Sequence, residues 1–150
     1  MISRVLIAVD DNLFGDAMVE LLKNLKWENT QTMRVIHVIE PIEPIAAWPS
    51  EQYKKDAEAL IKRVSAHLRK NLPNSKVEEK LLNGHVTETI VDEAIDWNAD
   101  LILVGSHGRR GFRRFSLGTS SGEIVSHAPC SVIVVRQNQE SRATNKQQSN

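Results

Sequence analysis

Only one cysteine, Cys130, occurs among 150 residues, so no internal disulfide can form and a reducing compartment is the natural setting. The five histidines fall in no metal-ligand spacing, and with a solitary thiol they make no Cys/His metal site. An excess of charge is missing too. Nineteen Lys and Arg balance nineteen Asp and Glu. That removes the bulk attraction that draws a chain to nucleic acid or to anionic membranes, and neither is expected as a partner. No apolar run approaches the length that spans a bilayer. The first such run, Val5-Leu-Ile-Ala-Val9, is too short for a signal peptide and ends in two aspartates. A cytoplasmic protein is the expectation. Aromatic residues make up only 5%, and the three tryptophans (Trp27, Trp48, Trp97) read as packing residues.

Hydrophobic residues make up 41% of the chain, enough for one domain with a real core. They come in alternating patterns. Residues 3–9 read as a buried strand, and Phe14, Met18, Leu21, Leu22 and Leu25 recur at helical spacing. Met33 to Ile39 is a second strand, stopped by Pro41 and Pro44. Ser50 caps a long helix over 51–72, and 76–82 is a weaker third strand. Val86 to Trp97 predicts a third helix, Leu101 to Val104 a fourth strand, Thr119 to His127 a fourth helix and Ser131 to Val135 a fifth strand. This alternation predicts a single α/β domain over 1–136. Its open, twisted five-stranded parallel sheet, in order 3-2-1-4-5, carries helices on both faces. Such sheets bind ligands at the carboxyl ends of the strands, where the strand order reverses. Here the reversal falls between the first and fourth strands, which brings Asp10 to the loop after Val104. Residues 137–150 are polar and aperiodic, and read as a disordered tail.

That loop, Gly105-Ser-His-Gly108-Arg-Arg-Gly111, closes at Gly118-Thr119 and opens a helix at Thr119-Ser120-Ser121. Glycines let backbone N–H groups approach an anion, and the N–H groups that begin a helix lack partners of their own. Arg109, Arg110, Arg113 and Arg114 add donors suited to phosphate oxygens, and His107 lies among them. The loop therefore reads as a phosphate cradle. Asp10, and to a lesser degree Asp11, is placed to meet a ribose hydroxyl or a metal near phosphates, and the turn Asp10-Asp11-Asn12 alternatively suits the cap of the first helix. Ser120 and Glu123 have the spacing of a capping box.

Rival patterns fail on named residues. A P-loop needs Gly-Lys-Ser/Thr, which is absent, and a dinucleotide fingerprint needs a different glycine spacing. A phosphoacceptor receiver domain needs an aspartate at the end of its third strand, where this chain has Asn83-Gly84. No Gly-x-Ser-x-Gly elbow surrounds Ser106, so Ser106 and His107 do not make a hydrolase pair, and no catalytic residue is assigned.

Five blocks together resemble the universal stress protein family over residues 1–136. They are Val5-Leu-Ile-Ala-Val-Asp10, Val35-Ile-His-Val38, Asp100-Leu-Ile-Leu-Val-Gly-Ser-His-Gly108, Leu117-Gly-Thr-Ser-Ser121 and His127-Ala-Pro-Cys-Ser-Val-Ile-Val-Val135. The resemblance is to the ATP-binding branch, and it implies an adenine nucleotide (ATP, ADP or AMP, with or without Mg²⁺). Asp10 would meet the ribose or phosphate region, and Val38 the adenine through its backbone. Gly105, Gly108, Gly118 and Thr119 would hold the phosphates, with Ser120 close by. It also implies a homodimer through the last strand, about Val132 to Val135. One departure is Asp10-Asp11-Asn12, where many relatives have Asp-Gly-Ser. Three functions remain open at this point: a stress-response regulator that binds ATP or AMP, a slow ATPase or self-phosphorylating enzyme using Mg-ATP, and a dimeric interaction module whose loop stays empty.

Overall fold

The computed structural model describes residues 1–41, 50–106 and 118–137. Among these residues five strands alternate with four helices. The first half runs β1 (Arg4–Ala8), α1 (Asn12–Asn24), β2 (Thr32–Ile39), α2 (Glu51–Asn71) and β3 (Lys76–Asn83). The second half runs α3 (Val86–Asp96), β4 (Leu101–Gly105), α4 (Thr119–His127) and β5 (Ser131–Val135). The strands are all parallel in the order β3-β2-β1-β4-β5, as the sequence predicts.

Two cores follow from the two-residue period of a strand, which sends successive side chains to opposite faces. Val5, Ile7 and Val9 pack with Phe14, Met18 and Leu22 of α1 and with Ile61, Val64 and Leu68 of α2. Leu6 points the other way, to Ile36, Ile102, Ile90 and Ala94 of α3, and Ile124 of α4. Each such side chain contributes about 1.5–3 kcal/mol by leaving water, so β1, buried on both faces, anchors the whole sheet.

Helix ends differ from the sequence reading by a residue or two, for reasons the caps supply. α1 begins at Asn12 rather than Phe14, because the Asp11 side chain accepts the Phe14 N–H at 2.8 Å. α2 starts as expected, with Ser50 Oγ accepting from Tyr53 N–H at 3.3 Å. α3 stops at Asp96, one residue before Trp97, and Asn98 turns the chain with φ 54°. The Ser120–Glu123 capping box does not form. The cap residue of α4 is Gly118, Ser120 lies inside the helix, and Glu123 instead accepts from Thr87 Oγ1 at 2.9 Å, tying α4 to α3.

Polar braces lock the amino end of the sheet. Asp100 Oδ2 accepts from Ser3 N–H at 2.9 Å, Ser3 Oγ at 3.0 Å and Arg4 N–H at 2.8 Å, and these bonds hold its carboxyl below the ordinary value of 3.8. Arg34 of β2 bridges Glu78 of β3 (2.7 Å) and Glu93 of α3 (2.6 Å), and its guanidinium lies 4.2 Å from the Trp97 ring centre. Trp27 donates to the Leu22 carbonyl at 3.0 Å and packs on the first core. Those two tryptophans are packing residues; Trp48 lies outside the described residues.

Candidate functional site at the carboxyl end of the sheet

The β1–β2 ladder ends at the pair Ala8–Ile36 and the β1–β4 ladder at Ile7–Leu103. Continuing each register by two residues sets Asp10 opposite Val38 and Val9 opposite Gly105. Three of the expected contact residues, Asp10, Val38 and Gly105, thus surround one strand end, at the place where the strand order reverses. Val9 still donates its N–H to the Ile36 carbonyl at 2.9 Å, so the strand is held to its last residue. Asp10 is half-buried and follows at once.

The glycine loop leaves and returns through a clamped neck. Ser106, wholly buried, donates its N–H to the Val135 carbonyl at 2.9 Å and accepts the Gly118 N–H at 2.8 Å. Ser121 Oγ donates to the Gly105 carbonyl at 2.5 Å, fastening the first turn of α4 to the end of β4. Gly105 and Gly118 are therefore the two sides of the neck. His107, Gly108 and Arg109, with Arg110, Gly111, Arg113 and Arg114, lie outside the described residues. Gly105 has a packing reason to lack a side chain. A Cβ there would sit 2.9 Å from the Phe14 ring of α1.

Every helix in a parallel sheet points its N-terminus at this end, and each such terminus has orphan N–H groups. Three of the four are closed by side-chain oxygens. Asp11 caps α1, Ser50 caps α2, and the Glu40 carboxylate accepts the Val86 N–H of α3 at 2.8 Å. α4 differs. Its cap residue is a glycine, among the described residues no side-chain bond closes its first turn, and Thr119 and Ser120 are exposed. An anion supplied from outside fits there, because the dipole end and the N–H groups both favour negative charge. Asp11 is a cap, as one of its two sequence readings held, while Asp10 lies at the mouth.

Sequence reasoning assigned no role to His37 or Glu40, and read Ser121 only as one of the hydroxyls that open the fourth helix, not as a tie to β4. His37 shares the register face of Met33 and Val35, and a polar residue at a core position was the available signal. Ser121 lies three residues before Ile124 on the buried side of α4. Glu40 carried no local signal, because its partner is 46 residues away. Among the described residues no group of three or more His, Cys, Asp or Glu is placed to hold a metal ion, and no helix is long and apolar enough to cross a membrane. Cys130 is half-buried, and desolvation pushes its thiol up from the ordinary value of 9.0.

A doubly wound α/β protein with a glycine-capped helix N-terminus at its switch point is the class that the fold and site define. Within that class, the universal stress protein family model matches residues 1–136, and the chain belongs to that family. It is similar to a universal stress protein of Thermus aquaticus, at 29% identity over 139 residues covering 91% of this chain and 100% of the relative. Solved structures share the fold. The universal stress protein from Archaeoglobus fulgidus in complex with dAMP gives a TM-score of 0.70 at 20% identity, covering 90% of this chain and 99% of that one. A family member from Arabidopsis thaliana with AMP bound gives 0.63 at 20% identity, covering 92% and 94%.

Proposed function

We propose that this protein binds an adenine nucleotide at the carboxyl ends of β1 and β4 and acts as a regulator in stress adaptation. The carrying observation is the N-terminus of α4, fastened by Ser121 to the end of β4 and left without a side-chain cap among the described residues, at the end of the sheet where the strand order reverses. Complexes of the Archaeoglobus and Arabidopsis proteins with dAMP and AMP support the adenylate class. In this reading the N–H groups of Thr119 and Ser120 and the neck at Gly105 and Gly118 take phosphate. Gly108, His107 and Arg109 complete the cradle from the loop. Asp10 meets the ribose, and the Val38 backbone meets the base. ATP is the proposed ligand, with AMP and ADP as alternatives. Mg²⁺ would arrive on the phosphates, since that ion keeps several waters and needs only one or two protein carboxylates.

Binding to the native state must raise stability, by about 2.7 kcal/mol when ligand is at a hundred times Kd. Thermal unfolding is therefore expected to shift upward with millimolar Mg-ATP or AMP, and an unchanged midpoint with both sinks the reading. Incubation with γ-labelled ATP separates sensor from enzyme. The regulator reading expects neither released phosphate nor labelled protein. Domain limits of 1–136 and a tail over 137–150 belong to the same proposal, and removing 138–150 is expected to leave the shift intact.

The assembly proposed with it is a homodimer through β5. That strand is an edge with no charged residue, and Val132, Ile133 and Val134 are half-exposed. The opposite edge, β3, carries Lys76, Glu78, Glu79 and Lys80, which discourages pairing there.

A further inference from the structure

His37 is 2% exposed near the end of β2, on the face that packs against α1 and α2. Its Nδ1 lies 2.7 Å from the Val9 carbonyl oxygen, which can only accept, so the ring must carry its proton on Nδ1. In the neutral ring that leaves Nε2 as a bare lone pair. Nε2 is buried and has no hydrogen-bond partner among the described residues. On its α2 side stands Tyr53, whose ring centre is 6.4 Å away at a 45° tilt.

Packing alone does not account for this residue. An apolar side chain of similar size would fill the same place without stranding a polar nitrogen, and a stranded buried polar atom is destabilising. What a leucine lacks is the donor to Val9. The Val9 carbonyl belongs to the planar peptide unit that also contains the amide nitrogen and Cα of Asp10. A bond at that oxygen therefore sets the plane from which Asp10 departs. The Val9 N–H lies in the preceding peptide plane, which its 2.9 Å bond to the Ile36 carbonyl fixes, so with both planes held the rotation between them at Val9 is restrained as well.

We propose that His37 is a positioning residue, which orients Asp10 for its ligand by holding the Val9 carbonyl through Nδ1–H. This deepens the nucleotide reading and rests on it for the identity of the ligand. The test compares His37→Leu, which removes the donor, with His37→Asn, whose side-chain amide can place an N–H near the Nδ1 position. In the ligand-free protein, the Asp10 amide and carboxyl resonances are expected to move in the Leu variant and to return toward wild type in the Asn variant. The affinity for AMP and Mg-ATP is expected to fall roughly tenfold in the Leu variant, the size of one net hydrogen bond, and to recover in the Asn variant. The imidazole ¹⁵N shifts of wild type are expected to show a protonated Nδ1. A proton found on Nε2, unmoved Asp10 resonances, or a Leu variant that binds as wild type overturns the proposal, as does failure of Asn to rescue either signal. If wild type binds no adenylate while the Asp10 resonances still respond as expected, the nucleotide reading fails and the positioning role stands.

Discussion

At the scale of single residues, two glycines that look alike in sequence separate once their neighbours are known. Gly105 has the Phe14 ring 2.9 Å from the position of a Cβ, and that ring is buried against the first core. A methyl group there must push the start of α1 away from β4, so Gly105→Ala is expected to cost about 1–3 kcal/mol. Gly122, in α4, has nothing within 4 Å of its Cβ position. Gly122→Ala is expected to be neutral or to stabilise by about 0.5–1 kcal/mol, from helix propensity alone. Denaturant melts of the two variants check the pair, and equal effects would mean that the Phe14 contact is not what constrains Gly105. Asp10 and Asp11 separate in the same way. Spacing offered both as ligand or cap, and only the bond from Phe14 N–H to Asp11 decides which one closes the helix.

At the scale of elements, the strands and helices were legible because apolar period tracks burial, and β1 and β4 are nearly uniform apolar runs. Helix starts were less legible, since a cap is a bond between particular atoms. Ser120 and Glu123 have capping-box spacing, yet the chain reaches the helix through Gly118, and Glu123 faces Thr87. That open terminus gives a prediction at this scale. Gly118 has φ −58° and ψ 155°, which any L-residue can adopt, so an acid placed there has an ordinary backbone. Gly118→Asp is expected to raise stability by about 0.5 kcal/mol by capping α4. Its carboxylate would stand where the proposed phosphate binds, and AMP or Mg-ATP should no longer shift the melt. A variant that still binds as wild type would remove α4 from the site. The carboxylate braces predict an acid limit as well. Hydrogen bonds from the Ser3 and Arg4 backbones lower Asp100, and the Arg34 guanidinium lowers Glu78. Each then contributes stability present in full above its ordinary value, 3.8 for Asp100 and 4.5 for Glu78, and lost as pH falls through the lowered one. The part of the melting temperature that these two braces supply is expected to be fully present above about pH 5 and to drop below about pH 4. Asp100→Asn should flatten part of that drop.

At the scale of the whole molecule, the alternation of elements already implied a parallel sheet, and a reversal between its first and fourth strands brought Asp10 to the glycine loop. The distribution of helix closures across that mouth was not readable. It depends on bonds such as Glu40 to Val86, between residues brought together only by the sheet. Edges, in contrast, are a property of sequence and order together. Once β3 and β5 are known to be the outer strands, their composition states which one can meet a second copy. An outer strand with three half-exposed aliphatic residues invites pairing, whereas Lys and Glu along β3 oppose it. In a two-fold assembly β5 would meet its own copy, so one substitution alters both sides of the contact. Val132→Lys puts two like charges into that contact. Its side chain is half-exposed beside the second core, so a long amphipathic residue can reach solvent without emptying the core. Wild type is expected to elute with the mass of a dimer, and Val132→Lys with that of a monomer that still melts cooperatively. Lys80→Val on β3 should leave the wild-type mass unchanged. A dimer that survives Val132→Lys places the contact elsewhere than β5, and a monomeric wild type at high protein concentration removes the assembly altogether.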